Sequence, residues 1–189
     1  TSPLTYCIGI LYGLNNNNFT NIIRYSIGIG SYPWSLAIID FNNDKIFDIG
    51  VVNLWDSSVS ILLGTLTNEF ILSYKFSTGS LSEPSSIVFA DINKDKQIDI
   101  IVSNTRSNNI AILLVNFISD FQNNQTYSTG SGPHPSSIVL ADLNFDQQIE
   151  IIVTNPGNDN IEILYNYSNE NLRKTLKYST EINSNPQYV

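Results

Sequence analysis

Pro33-Trp34-Ser35-Leu36-Ala37-Ile38-Ile39-Asp40 returns without a gap as Pro84-Ser85-Ser86-Ile87-Val88-Phe89-Ala90-Asp91, and again as Pro135-Ser136-Ser137-Ile138-Val139-Leu140-Ala141-Asp142. Each copy lies 51 residues after the one before, and Pro186 falls on the same frame. The frame also runs backwards: Ile10-Leu11-Tyr12-Gly13 stands 51 residues ahead of Ile61-Leu62-Leu63-Gly64. An internal period of this length marks a repeat architecture, whose units bury their faces against neighbouring units. The frame divides the chain into the back half of a unit at 1–32, whole units at 33–83, 84–134 and 135–185, and the first residues of another at 186–189. Because Thr1 falls inside a repeat, the chain reads as a piece of a longer array.

Each unit reads as four short strands. The third is the clearest, because Val59, Ile61 and Leu63 alternate with Ser58, Ser60 and Leu62, a period of two. Ile110, Ile112 and Leu114, and then Ile161, Ile163 and Tyr165, repeat that pattern. The second strand is a continuous apolar run, Ile49-Gly50-Val51-Val52, Ile100-Ile101-Val102 or Ile151-Ile152-Val153. Its β-branched composition predicts cover on both faces. The first strand follows the proline, which pre-sets an extended backbone. The fourth ends in Tyr25-Ser26, Phe76-Ser77, Tyr127-Ser128 and Tyr178-Ser179. Four strands in about 50 residues, repeated radially, describe a propeller blade. The predicted fold is therefore all-β: a partial β-propeller of four-stranded antiparallel blades, 51 residues each. The alternative, a β-solenoid, has shorter repeats.

Between strands one and two, every unit places acids at odd spacing. The loops run Asp40, Asn42, Asp44, Asp48; Asp91, Asn93, Asp95, Asp99; and Asp142, Asn144, Asp146, Glu150. Calcium takes six to eight oxygens, and side chains at positions 1, 3 and 5 of a tight loop converge on one point. The backbone carbonyl of position 7 (Ile46, Gln97 and Gln148) adds an oxygen, and the carboxylate at position 9 closes the shell. All-oxygen ligands without His or Cys argue against zinc and copper. The metal-free alternative is an Asx-rich hairpin held by side-chain-to-backbone hydrogen bonds. An EF-hand is excluded, because position 12 is Val51, Val102 or Val153 inside a strand.

The pattern Pro-x-Ser-apolar-x-x-x-Asp-x-Asn-x-Asp-x-x-x-Asp-apolar-x-Val, repeated about every 50 residues, resembles the FG-GAP/VCBS repeats found in the heads of integrin α subunits. The resemblance covers nearly the whole chain. It implies seven- or eight-bladed propellers with Ca²⁺ in the blade loops, usually extracellular or at the cell surface, and binding rather than catalysis. Two departures stand out. The family places glycine at loop position 6, where positive φ is needed; here Lys45, Lys96 and Gln147 stand there. The third loop ends in Glu150, one methylene longer than Asp.

Composition agrees with a folded, cation-binding chain. Of its 189 residues 42% are hydrophobic, and the net charge of −8 disfavours nucleic acid and anionic lipid. No apolar run is long enough to span a membrane as a helix, and the lone Cys7 cannot form an intrachain disulfide. Asn18-Phe19-Thr20, Asn124-Gln125-Thr126 and Asn166-Tyr167-Ser168 match the glycosylation acceptor pattern, which permits secretion without arguing for it. His134, between two prolines, reads as a surface turn residue. Trp34 and Trp55 belong to one unit only; packing is the favoured reading over recognition. With no asymmetric cluster of acid, base or nucleophile, the expectation is a non-catalytic binding or scaffold module. Its partner would be an extracellular protein or a glycan, alongside further repeats or self-association. A carbohydrate-binding lectin propeller, or the non-catalytic propeller part of a larger glycan-acting enzyme, is the alternative.

Overall fold

The computed structural model describes residues 6–14, 18–115, 123–168 and 171–188. It is built of antiparallel β-sheets, with no α-helix among the described residues. The strands are β1 (Cys7–Ile10), β2 (Ile23–Ser26), β3 (Pro33–Ile39), β4 (Asp48–Asn53), β5 (Ser58–Gly64), β6 (Phe70–Ser77), β7 (Pro84–Ala90), β8 (Asp99–Asn104), β9 (Asn109–Leu114), β10 (Asn123–Ser128), β11 (Ser137–Ala141), β12 (Glu150–Asn155), β13 (Asn160–Ser168) and β14 (Asn171–Ser179). β1 pairs with β2, and β3–β6, β7–β10 and β11–β14 form three four-stranded meanders.

The apolar second strands meet their prediction: every residue of β4 and β8 is buried. Their alternation sends successive side chains to opposite faces, and both faces are covered. Ile49, Val51 and Leu62 pack with Ile8 and Ile27 of the preceding layer. Val52, Val59 and Ile61 pack with Ile100, Val102, Ala111 and Leu113 of the following sheet. Ile101, Ile110 and Ile112 in turn face Ile151, Val153 and Leu164. The sheets thus stack in chain order with an apolar layer in each gap, and the stack is not closed on itself. Adjacent sheets approach most closely through their first strands, β3 to β7 and β7 to β11.

Hydrogen bonds knit those first strands together. Ser85 Oγ donates to the Ser136 carbonyl at 3.2 Å, and Ser136 Oγ donates to the Gln187 carbonyl at 2.8 Å. The backbone keeps the period even where the side chains do not. Tyr32, Glu83, His134 and Asn185, each just before a proline, take φ of 53°, 51°, 50° and 48°. His134 is exposed, and its amide donates to Asn108 Oδ1 at 3.1 Å. Cys7 opens β1 as a free, half-buried thiol. Of the three acceptor asparagines, Asn18 is exposed, and the side chains of Asn124 and Asn166 lie outside the described residues.

Candidate metal-type loops

The acidic loops join β3 to β4, β7 to β8 and β11 to β12, at the same end of every sheet. Each folds around one amide. The N–H of Asp44 donates to Asp40 Oδ1 and to Asn42 Oδ1, both at 3.0 Å. The N–H of Lys45 donates to Asp40 Oδ2 at 2.8 Å, and that of Ile46 to Asp44 Oδ1 at 2.8 Å. Asn42 Nδ2 reaches Asp44 Oδ2 at 2.9 Å. The second loop repeats this network through Asp91, Asn93, Asp95 and the amides of Lys96 and Gln97. The third does so through Asp142, Asn144, Asp146 and the amides of Gln147 and Gln148.

This wrapping requires left-handed backbone at two positions per loop. At position 6, Lys45, Lys96 and Gln147 have φ of 71°, 70° and 64°. The positive φ that the family meets with glycine is therefore carried here by ordinary residues. At position 4, Asn43, Lys94 and Phe145 also lie at 60–64°. For non-glycine residues each such conformation costs about 1–2 kcal/mol, offset by the side-chain hydrogen bonds that hold the turn.

Position 9 has a part that its spacing did not disclose. Asp48 is buried, and its two oxygens accept from the amides of Phe41 and Gly64, both at 2.8 Å. Asp99 does the same with Ile92 and Val115, at 3.1 and 2.9 Å. The carboxylate ties the start of the loop to the end of the third strand, and the apolar residue at position 2 enters the core: Phe41 and Ile92 are buried. Burial holds Asp48 above the usual carboxylate range and pushes Asp99 up to about 6, against the downward pull of those amides. In the third loop Glu150 Oε2 accepts from the Leu143 amide at 2.7 Å, but the buried Oε1 has no hydrogen-bond partner. The extra methylene therefore changes the site where the sequence flagged it.

The donor set fits calcium in kind: hard oxygens on positions 1, 3 and 5, two of them already meeting at one amide. As the loops stand, no group of three or more His, Cys, Asp or Glu among the described residues is gathered as a metal site would require. The hydrogen bonds seen are those of the metal-free Asx-turn reading.

A further feature recurs with the repeat frame. Asn53, Asn104 and Asn155 recur on the frame, are fully buried, and donate to Ser58 Oγ, Asn109 Oδ1 and Asn160 Oδ1 at 2.9, 2.9 and 3.0 Å. Their Oδ1 atoms are buried without partners. The 51-residue spacing of these asparagines was available as a signal. Trp34 and Trp55 are not buried packing residues either: they are 59% and 60% exposed, at the edges of an aromatic stack with Tyr32.

Residues 91–153, which hold the second and third loops, match the family model described as an FG-GAP-like repeat. This stretch is similar to FG-GAP-like repeats, and the match covers about a third of the chain. No curated protein is significantly similar to the chain. Among solved structures, virginiamycin B lyase from Staphylococcus aureus aligns with a TM-score of 0.61 and 11% identity, covering 97% of this chain and 49% of that one. A streptogramin B lyase aligns with a TM-score of 0.64 and 15% identity, over 93% of this chain and 49% of that one. A catalytically inactive virginiamycin B lyase from Staphylococcus aureus with quinupristin gives 0.63 and 14%, over 94% and 50%. The chain thus spans about half the length of these structures, and at such identity the likeness is one of fold. It corrects the expectation of a non-catalytic module: these structures of similar fold are lyases, so the fold gives no ground for excluding catalysis.

Proposed function

We propose that the chain is part of a calcium-binding β-propeller, built from FG-GAP-like repeats, that serves as an extracellular recognition or scaffold unit. The observation that carries this reading is the recurrence of one loop in three copies. Each presents Asp, Asn and Asp at positions 1, 3 and 5, wrapped around the same amide at the same end of its sheet. The stacking of sheets through their first strands, with apolar layers between, supports the propeller. The ligands would be Asp40, Asn42, Asp44 and the Ile46 carbonyl, with their counterparts in the other loops, and the position 9 carboxylate would close the shell through lone pairs left by its amide bonds. Bound calcium would neutralise acids that otherwise repel one another. Loops of this kind suit the millimolar calcium outside cells, where modules bind at about 10⁻⁴–10⁻³ M.

Calorimetric titration with calcium tests the ligand set. Asp44→Ala and Asp95→Ala should each remove about one site. Asp146→Ala should remove less, because the Glu150 loop is the least regular. Calcium uptake untouched by all three substitutions would refute the assignment.

A further inference from the structure

At the strand ends opposite the acidic loops lies a cavity of about 220 Å³, lined by Trp34, Leu54, Glu83, Ser85, Thr105, Ser136, Gln187 and Tyr188. It is smaller than the ~300–1,000 Å³ of sites for drug-sized ligands, so it suits one small ring. Two aromatic side chains at its rim are open to solvent: Trp34 is 59% and Tyr188 87% exposed. Trp34 is not loose, for its ring stacks on Tyr32 at 6.3 Å and 21°, and Tyr32 stacks on Trp55 at 4.3 Å and 12°. An exposed indole backed by a rigid stack offers a preformed flat apolar face.

The other lining groups are hydroxyls held in place by bonds between sheets. Thr105 Oγ1 lies 2.8 Å from both Ser85 Oγ and the Pro135 carbonyl, with its single proton shared between these two acceptors. Ser136 Oγ donates to the Gln187 carbonyl at 2.8 Å. The Thr105 and Ser136 hydroxyl oxygens retain acceptor capacity, whereas Ser85 Oγ is taken up by Ser103, Thr105 and the Ser136 carbonyl. The one charge in the lining, Glu83, is paired with Arg106 at 3.0 Å, so the cavity presents no net charge to attract an ion. The Trp34 position is also where this unit breaks the repeat. Its counterparts Ser85 and Ser136 bond the neighbouring carbonyl, and Trp34 supplies a ring instead of that bond.

We propose that this cavity binds a neutral pyranose ring. Such a sugar has one apolar face of C–H bonds to lie on Trp34 or Tyr188, and a girdle of hydroxyls to donate to Thr105, Ser136 and Glu83. The site stands at the far end of the sheets from the acidic loops and does not depend on their holding calcium.

The test uses the whole chain in calcium buffer. The methyl glycosides of glucose, galactose, mannose and N-acetylglucosamine are titrated, with N-acetyltyrosinamide as a probe for an aromatic peptide, and binding is read by saturation-transfer NMR. At least one glycoside should bind, and Trp34→Ala and Tyr188→Ala should each weaken it at least about tenfold. Tyr188 is 87% exposed, so its truncation leaves the fold intact and keeps the test valid if Trp34→Ala proves unstable. Failure of all four glycosides, binding that survives both substitutions, or binding of N-acetyltyrosinamide alone would overturn the proposal.

Discussion

The loops concentrate their strain at single residues. Lys45, Lys96 and Gln147 sit in left-handed backbone with exposed side chains. Glycine at each position should therefore raise stability by roughly 0.5–1 kcal/mol, as relief of the Cβ penalty exceeds the added entropy of the unfolded chain. Chemical denaturation of the single variants reads this directly, and a loss of stability at all three would mean that the side chains hold the turn. Positions 5 and 9 should separate by role. In EDTA, Asp48→Ala and Asp99→Ala should each cost about 2–4 kcal/mol, because two buried amides lose their acceptor. Asp44→Ala, whose carboxylate is exposed, should cost less than about 1 kcal/mol under the same conditions. Equal losses would show that the buried carboxylates are not structural pins.

Within and between sheets, packing depends on what each unit does differently. Gly50 stands where the other units have Ile101 and Ile152, and a Cβ there would meet the Phe89 ring at 2.2 Å. Gly50→Ala should therefore destabilise by about 1–3 kcal/mol, and Phe89→Leu in the same chain should recover part of it, as calorimetric melting would record. Glu162 is a second irregularity. Buried at the position of Ser60 and Ala111, it faces Lys177 Nζ at 3.4 Å and Asn155 Nδ2 at 3.3 Å. Burial pushes its carboxyl above the usual range, although Lys177 and Asn155 pull it down. The folded protein thus holds this proton more tightly than the unfolded chain. Stability should fall as pH rises from the unfolded value of about 4.3 through the raised folded value. Glu162→Gln lacks that loss, so its stability relative to the parent should grow between pH 4 and 7; parallel curves would argue against it. At this scale the sequence was most legible where pattern alone decides. The alternation in β5, β9 and β13 and the unbroken apolar β4 and β8 gave antiparallel four-stranded sheets. The Gly50–Phe89 contact and the Glu162–Lys177 pair were not legible, because each depends on which residue of a neighbouring unit arrives in space.

For the molecule as a whole, the period carried the fold, and side-chain geometry carried what the period concealed. The spacing marked Asp48 and Asp99 as loop residues, but not as buried pins between a loop and a distant strand end, since Gly64 and Val115 lie 16 residues away. It marked Trp34 as an exception without showing that its ring lines a cavity beside Tyr188, which lies three units on. The expectation of a non-catalytic module rested on the absence of an asymmetric cluster in one sequence, and absence in sequence does not restrict what a fold assembles. We propose that the repeated loops bind calcium and thereby stabilise the stack. With millimolar calcium and site constants near 10⁻⁴ M, each loop would add roughly 1.4 kcal/mol. The most direct measurement is the thermal melting of the chain in EDTA, in Mg²⁺ and in Ca²⁺. A melting temperature several degrees higher in calcium, and little changed by magnesium, is predicted; identical curves in EDTA and calcium would contradict it.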